Sequence, residues 1–476
     1  ETRTPLELTD YAERYLVDRF SSIDGVARVQ IGGQRILLDC GMFQGGREAR
    51  ERNLRAWNFD PRQIDFVLLT HAHIDHSGLI PKLVKEGFAG KVFCTHGTKE
   101  LVTILMEDSA QIQEDDIRYA NKRRKLRQEP LLLPLYTVED AQLAAQRLVE
   151  ADYGVWTSLM EGVEFQFTDA GHIIGSACVH LRITENGKQR ILTFSGDVGR
   201  YRDAILRSPA EFPQADFIVM ESTYGNSLHE LKHSTPDMFL DWIEKICLKR
   251  KGKLIVPAFS VGRTQEILYY LNQLELENRL PPVPYYVDSP LSVHATEIVK
   301  KYPQYFNKTV QRVLQSDQDP FSFSGLKYIK SVEESKQLNF MDGPMVIISA
   351  SGMADAGRVK HHISNNIENS HNGILFTGYC EPHSLGGRLL AGQSEVGIYG
   401  VQHEVHASIG VIRSMSAHGD YEDLMQFLAC QNPDLVKQVF VVHGEAEVQD
   451  HFAERLRKKG FKEVHAPEMH ESFELK

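Results

Sequence analysis

A chain of 476 residues with 42% hydrophobic and 25% charged side chains holds enough apolar material for two or three cores, which excludes disordered and fibrous classes. No stretch approaches the roughly eighteen consecutive apolar residues of a membrane span, and no charged-then-apolar leader stands at the start, so a cytoplasmic protein without membrane contact is expected. The formal net charge of −11 excludes a surface that attracts nucleic acid everywhere, because Lys and Arg dominate affinity for phosphate backbones; a nucleic-acid enzyme of this charge needs bound dications or a local basic strip.

Taken in chain order, short apolar runs alternate with helix-compatible stretches, and this predicts an α/β chain. Arg35 to Leu38 ends on Asp39, and Asp65 to Leu69 ends on Thr70-His71-Ala72-His73-Ile74-Asp75-His76-Ser77-Gly78, ahead of a helical segment with Pro81. Lys122-Arg123-Arg124-Lys125-Leu126-Arg127 reads as a solvated helix face, with an RNA-tracking strip the less favoured alternative. Glu164 to Phe167 leads to Gly171-His172, Ile191 to Phe194 to Gly196-Asp197, and Phe217 to Met220 to Glu221. A second series follows at Leu254 to Val256, Pro284 to Val287, Met345 to Ile348 and Ile374 to Phe376, and reads as an inserted parallel sheet. Gln438 to Val442 then ends on His443. The expected organisation is a first domain over 1–207, an insertion over 208–395, and completion of the first domain by 396–476. The six cysteines stand apart from one another, which suits reduced buried thiols and neither a zinc ribbon nor a disulfide scaffold.

The histidine cluster carries the chemistry. In extended backbone His71 and His73 share a side, while Asp75 and His76 turn toward a second position, so one loop can serve two neighbouring metals. Imidazole and carboxylate are what zinc takes in catalytic sites that keep a position open for water. His172 adds an imidazole and Asp197 a carboxylate able to bridge. Alone, each reads as an ordinary loop residue; beside the cluster, each reads as a ligand. Loops past the carboxyl ends of strands are where such groups converge.

Asp39 in Leu37-Leu38-Asp39-Cys40-Gly41, the His71 to His76 cluster, His172 in Ala170-Gly171-His172-Ile173-Ile174-Gly175-Ser176, and Asp197 resemble the four motifs of the metallo-β-lactamase fold. Glu221 in Glu221-Ser222-Thr223-Tyr224, His418 in Ser416-Ala417-His418-Gly419-Asp420 and His443 in Val442-His443-Gly444-Glu445 resemble the three further motifs of the β-CASP nucleases. Gly262-Arg263-Thr264-Gln265-Glu266 and Ser351-Gly352-Met353 to Gly357-Arg358 resemble parts of that family's inserted domain. The opening segment Phe20-Ser21-Ser22-Ile23-Asp24-Gly25-Val26 departs from the family's first strand and glycine loop.

The resemblance implies an αββα sandwich with an inserted parallel-sheet α/β domain. It also implies two Zn²⁺ ions, with Mn²⁺ as an alternative suited to the same donors. His71, His73 and His172 would hold one metal, Asp75, His76 and His443 the other, and Asp197 would bridge. Asp39 would accept the remaining N–H of a ligand imidazole. A histidine at the position of His443 goes with RNA substrates in the family, so the expected activity is hydrolysis of single-stranded RNA by a di-metal-bound hydroxide, leaving 5′-phosphate and 3′-hydroxyl. Asp75 and Asp197 then belong to the catalytic machinery, with His418 as general acid and Glu221 orienting it. Ser351, Gly352, Ser416 and Arg388 are weaker candidates for substrate contact. Endonucleolytic and 5′-to-3′ exonucleolytic modes are both compatible with such a site, and so is a homodimer. A small-molecule hydrolase of the same fold, a DNA nuclease of the superfamily, and a silent scaffold partner are the competing readings; intact ligand motifs disfavour the last.

Overall fold

Strands that bury nearly every side chain set the architecture, because a sheet covered on both faces tolerates little polarity. The computed structural model describes residues 19–23, 26–31, 33–43, 47–185, 187–229, 234–469 and 471–475. Residues 1–18, within the domain expected to begin at residue 1, and Asp24 and Gly25 of the opening segment lie outside them. The chain forms two compact units, one drawn from residues 1–199, 209–227 and 420–476 and the other from 200–208 and 228–419.

The first unit holds two seven-stranded sheets. In one, Ser472–Glu474, Arg19–Ile23, Val26–Ile31 and Gln34–Leu38 pair antiparallel, then Phe66–Leu68, Lys91–Cys94 and Leu148–Glu150 continue in parallel. In the other, Val464–His465, Gln438–Val442, Phe217–Glu221 and Lys188–Phe194 run parallel, and Ala177–Glu185, Val163–Asp169 and Thr157–Met160 complete it antiparallel. Alternation decides which side chains meet: Ile36, Leu38, Leu68 and Phe93 of the first sheet pack with Phe165, Phe167, Val179, Leu192, Val219 and Phe440 of the second. Leu37, Val67 and Val92 point the other way and are equally buried, because helices cover that face. Helices Ile80–Lys85, His96–Leu126 and Val138–Ala145 pack together on the first sheet's side, and Ala446–Lys459 packs on Gln438–Val442 of the second. The result is the αββα sandwich.

The second unit is built on six strands, all parallel, in the order Leu326–Tyr328, Tyr285–Asp288, Met345–Ser349, Lys253–Pro257, Gly373–Phe376, Ser408–Val411. Helices such as Arg263–Leu276, Pro290–Lys300 and Gly357–Asn366 connect them, as parallel pairing requires. Among the described residues no helix is long and apolar enough to cross a membrane.

Candidate metal centre

Within the first unit the strand directions bring Asp169, Phe194, Glu221 and Val442 to one edge of the second sheet, and the loops beyond them carry His172, Asp197 and His443. From the first sheet, the segment after Phe66–Leu68 supplies His71 and His73 and then one helical turn, Ile74–Ser77, bearing Asp75 and His76. That turn is clamped to the segment after Gln34–Leu38: Cys40 N–H donates to His76 O at 2.7 Å and Met42 N–H to Ile74 O at 2.9 Å. The approach requires a glycine at 41, since a Cβ there would sit 1.5 Å from Asp75 O. Ala177 N–H donates to Thr70 O at 2.8 Å, tying the two sheets' loops together, and Ser176 Oγ accepts from His172 N–H at 3.0 Å.

The side chains gather in two sets. Nδ1 of His73 stands 3.1 Å from His71 Nε2 and 3.1 Å from His172 Nε2, while Asp197 Oδ2 lies 3.4 Å from His71 Nε2 and 3.6 Å from His172 Nε2. Asp197 turns its other oxygen, Oδ1, toward His76 Nε2 at 3.2 Å and His443 Nδ1 at 3.6 Å. Donor atoms of His71, His73, His172 and Asp197 all lie within 4.8 Å of one another, and so do those of Asp75, His76 and His443. Four ligands at zinc's usual bond lengths around a tetrahedron would be separated by about 3.3 Å, which the spacings of the first set fit. Unprotonated imidazole nitrogens and a carboxylate are also the right chemistry for a divalent ion of borderline softness.

The residues behind these donors hold them. Asp39, wholly buried, accepts from Thr70 N–H at 2.7 Å and Thr70 Oγ1 at 2.8 Å, and its Oδ2 lies 2.7 Å from His76 Nδ1. Two of these positions use left-handed backbone without being glycine, Asp39 at φ 64° and His443 at φ 53°, a conformation that costs on the order of 1 kcal/mol or more and concentrates at functional sites. Glu221 is buried and its carboxylate accepts from Val198 N–H and from Thr223 N–H, so it is rigidly aimed.

Burial pushes the His71 imidazole down to about 3, with His76 adding to the effect, so His71 is neutral and offers a lone pair. Burial acts to raise Asp75, but His76, His73 and His443 outweigh it and hold the carboxyl below its usual range. Burial disfavours charge on His76 as well, yet Asp197 and Asp39 on either side raise it well above an ordinary imidazole; that is the field a cation would feel there. Asp39 is raised, chiefly by burial.

The other residues that the sequence puts forward for catalysis or substrate contact lie in the second unit. His418 is on the loop after Arg413–Met415; its N–H donates to Ser416 Oγ at 3.2 Å, and its carbonyl oxygen is 2.9 Å from His229 Nε2. Ser351 and Gly352 follow strand Met345–Ser349, and the loop is pinned to helix Leu385–Leu390 by Gly386 N–H to Met353 O at 3.0 Å and Leu385 N–H to Asp355 Oδ1 at 2.8 Å. Arg388 is on that helix, its Nε buried and without a hydrogen bond among the described residues. Thr70 and Thr223 escaped the sequence reading. Thr70 lies between Asp39 and His71, and Thr223 Oγ1 is 3.1 Å from His443 Nδ1. Their only sequence signal is a place inside the motif strings, Thr70 beside His71 and Thr223 two residues after Glu221.

Three family descriptions match the chain: the metallo-beta-lactamase superfamily over residues 26–257, the Beta-Casp domain over 264–389, and the Zn-dependent metallo-hydrolase RNA specificity domain over 402–467. Ribonuclease TTHA0252 of Thermus thermophilus is 36% identical over 87% of this chain and 89% of its own length. The RNase J-like protein of Methanocaldococcus jannaschii is 29% identical over 88% of this chain and 90% of its own length. Transcription termination factor FttA of the same organism is 29% identical over 92% of this chain and 68% of its own. A crystal structure of a protein of unknown function from Enterococcus faecalis V583 superposes with a TM-score of 0.53 at 12% identity, covering 96% of this chain and 99% of that one; this is a likeness of fold alone.

Proposed function

The chain belongs to the β-CASP family of the metallo-β-lactamase superfamily, and from that premise we propose that it is a metal-dependent ribonuclease hydrolysing phosphodiesters of single-stranded RNA to leave 5′-phosphate and 3′-hydroxyl ends. The observation that carries the reading is Asp197, whose two oxygens face two separate sets of donors. His71, His73 and His172 would hold one ion and Asp75, His76 and His443 the other, and zinc suits both sets. When bound, such a pair of dications supplies an activated water and neutralises charge building on the scissile phosphate.

The protein's own residues do the rest. Asp39 orients His76 through the 2.7 Å contact to Nδ1, leaving Nε2 for the cluster. His418 gives its proton to the departing ribose oxygen and Glu221 orients it. Ser351, Gly352, Ser416 and Arg388 would meet the substrate backbone. The match to an RNA specificity domain over 402–467 and the ribonuclease names of relatives support RNA over DNA or a small molecule.

The test is incubation of the metal-analysed protein with a labelled single-stranded RNA, its DNA counterpart and a circular RNA, beside the His418→Ala variant. The expected result is cleavage of RNA and not DNA, reduced on the order of 10²- to 10⁴-fold in the variant with metal content unchanged. Cutting of the circle assigns an endonuclease. Loaded metal with no RNA cleaved would overturn the reading.

A further inference from the structure

We propose that the carboxyl-terminal turns of helix His96–Leu126 form a second RNA-binding surface, remote from the metal ligands, that engages the far part of a long substrate strand. This rests on the ribonuclease reading above and adds where such a substrate is held.

The helix is two different objects along its length. Its first half is core, with Gly97, Thr98, Leu101, Val102, Leu105, Met106 and Ala110 buried, and none of its residues past Ala110 is buried. The second half therefore extends beyond the packing that stabilises the first, and a long polar overhang of this kind needs another use for its surface. One side is already occupied. Asn121 exchanges hydrogen bonds with the backbone of Leu132 at 2.9 and 3.0 Å, and Arg124 binds Pro130 O at 2.6 Å and Glu129 at 3.2 Å, so the returning segment closes that face.

Past Asp115 and Asp116, which are exposed, the rest of the helix carries no acid, and its open faces there are cationic and aromatic. Tyr119, Lys122, Arg123 and Leu126 follow one another at helix-neighbour spacing, and all are exposed, Tyr119 at 61%. The Arg123 guanidinium lies over the Tyr119 ring at 5.1 Å and donates to its hydroxyl at 3.0 Å. Lys122, Lys125 and Arg127 are exposed and have no carboxylate partner among the described residues. In a chain with a net charge of −11, such a concentration of unpaired cations beside a flat ring matches a single-stranded nucleic acid, whose phosphates take the charges and whose bases stack on aromatic and guanidinium planes. Favourable interaction with the helix's negative end would explain one or two cations there, but it gives no reason for the overhang or the exposed tyrosine.

Position sets the length of RNA involved. The helix begins at Thr95, whose Oγ1 donates to Gly175 O at 2.6 Å, in the loop that carries His172. At 1.5 Å per residue, Lys122 lies roughly 40 Å along the axis from that point. A strand stacked at about 3.4 Å per nucleotide needs about a dozen nucleotides to cover it. Short substrates reach the metal ligands alone, and long ones reach both.

The experiment compares the wild type with a Lys122→Gln/Lys125→Gln/Arg127→Gln variant, and separately with Tyr119→Ala, on single-stranded RNAs of about 8 and about 30 nucleotides. Binding is measured over a salt series and cleavage in parallel. The expected result is affinity for the longer RNA reduced on the order of tenfold in the triple variant, with a salt slope shallower by about 2 for three lost phosphate contacts. Binding and cleavage of the shorter RNA stay unchanged, as does the circular dichroism melting curve. A variant that matches the wild type at both lengths overturns the surface while leaving the nuclease reading intact. So does an equal loss at both lengths with a lowered melting temperature, since that marks a helix end needed only for folding. A wild type that neither binds nor cuts either RNA overturns both.

Discussion

Two buried aspartate–histidine pairs occupy comparable positions in the two units, each with its carboxylate 2.7 Å from an imidazole nitrogen: Asp39 with His76 in the first, Asp288 with His362 in the second. Asp39 follows a strand and Asp288 ends one. Around Asp288 both carboxylate oxygens are engaged. Ser335 Oγ donates to it, Arg358 Nη1 lies 2.6 Å from its Oδ1, and the far nitrogen of His362 is 2.9 Å from Asn339 Oδ1. The far nitrogen of His76 instead points at a second carboxylate, Asp197, in company with four more imidazoles and Asp75. A pair whose members satisfy one another is a fastener. A pair that aims its free end into a cluster of like donors is half of a site, and the complete set needs a cation.

Removing the carboxylate proposed to be shared between two cations therefore gives the largest effect. Asp197→Ala is expected to lower RNA cleavage on the order of 10⁴-fold and to cost the protein bound metal, read by elemental analysis beside the rate. Full metal content with unchanged cleavage would place the site elsewhere. The corresponding cut in the second unit moves a different quantity. Asp288→Ala leaves the buried His362 and the partly buried Arg358 without the carboxylate they share, and a loss of about 1–3 kcal/mol in unfolding free energy is expected, with metal content retained. Burial works to raise the Asp288 carboxyl, but hydrogen bonds from His362, Ser335 and Arg358 hold it below the usual range. Its contribution is thus present above the ordinary carboxylate value near 4 and is lost as pH falls through the lower folded value. Unfolding curves of wild type and variant should converge only in acid, and convergence near neutrality would contradict the pairing.

The two pairs also differ in how far the sequence reveals them. Asp39 and His76 stand in strings whose neighbours carry chemistry, and the runs before them are apolar enough to be read as strands, so their meeting is expected from the pattern alone. Asp288 and His362 have no such company: one closes a four-residue strand, the other sits in a helix, 74 residues apart. Nothing local marks an interior histidine whose side-chain partners come from two other elements. The same holds for one edge of the first sheet, where Ser472–Glu474 pairs with Arg19–Ile23. Pairing between the two ends of a chain leaves no periodic trace in either, and the opening segment departs from the family pattern besides. Local strings ending in acids and histidines were legible because strand ends and ligands are both local; long-range fasteners were not.

Between these extremes lies the support behind His76. Asp39→Asn keeps the size of the group and removes its charge, and second-layer changes of this kind weaken metal binding about 10- to 100-fold. Competition with a chelator measures this directly, and the protein should remain folded because the hydrogen bond from Thr70 N–H can persist.

The smallest effect tests how a neutral imidazole is told which nitrogen to offer. His71 is neutral because burial pushes it down to about 3, so its one proton sits on either Nδ1 or Nε2, and only Nε2 faces His73 and Asp197. Thr70 decides between them. Its hydroxyl donates to Asp39 Oδ2 at 2.8 Å, which leaves the oxygen's lone pair toward His71 Nδ1 at 3.0 Å and draws the proton there, freeing Nε2. Thr70→Val removes both contacts without changing side-chain volume much. A loss of about 1–2 kcal/mol in metal affinity follows from breaking buried hydrogen bonds, equivalent to roughly 5- to 30-fold, and Thr70→Ser should restore it because the hydroxyl alone sets the tautomer. Equal losses from valine and serine would mean that the methyl group's packing, and not the relay from Asp39 to His71, is what Thr70 contributes.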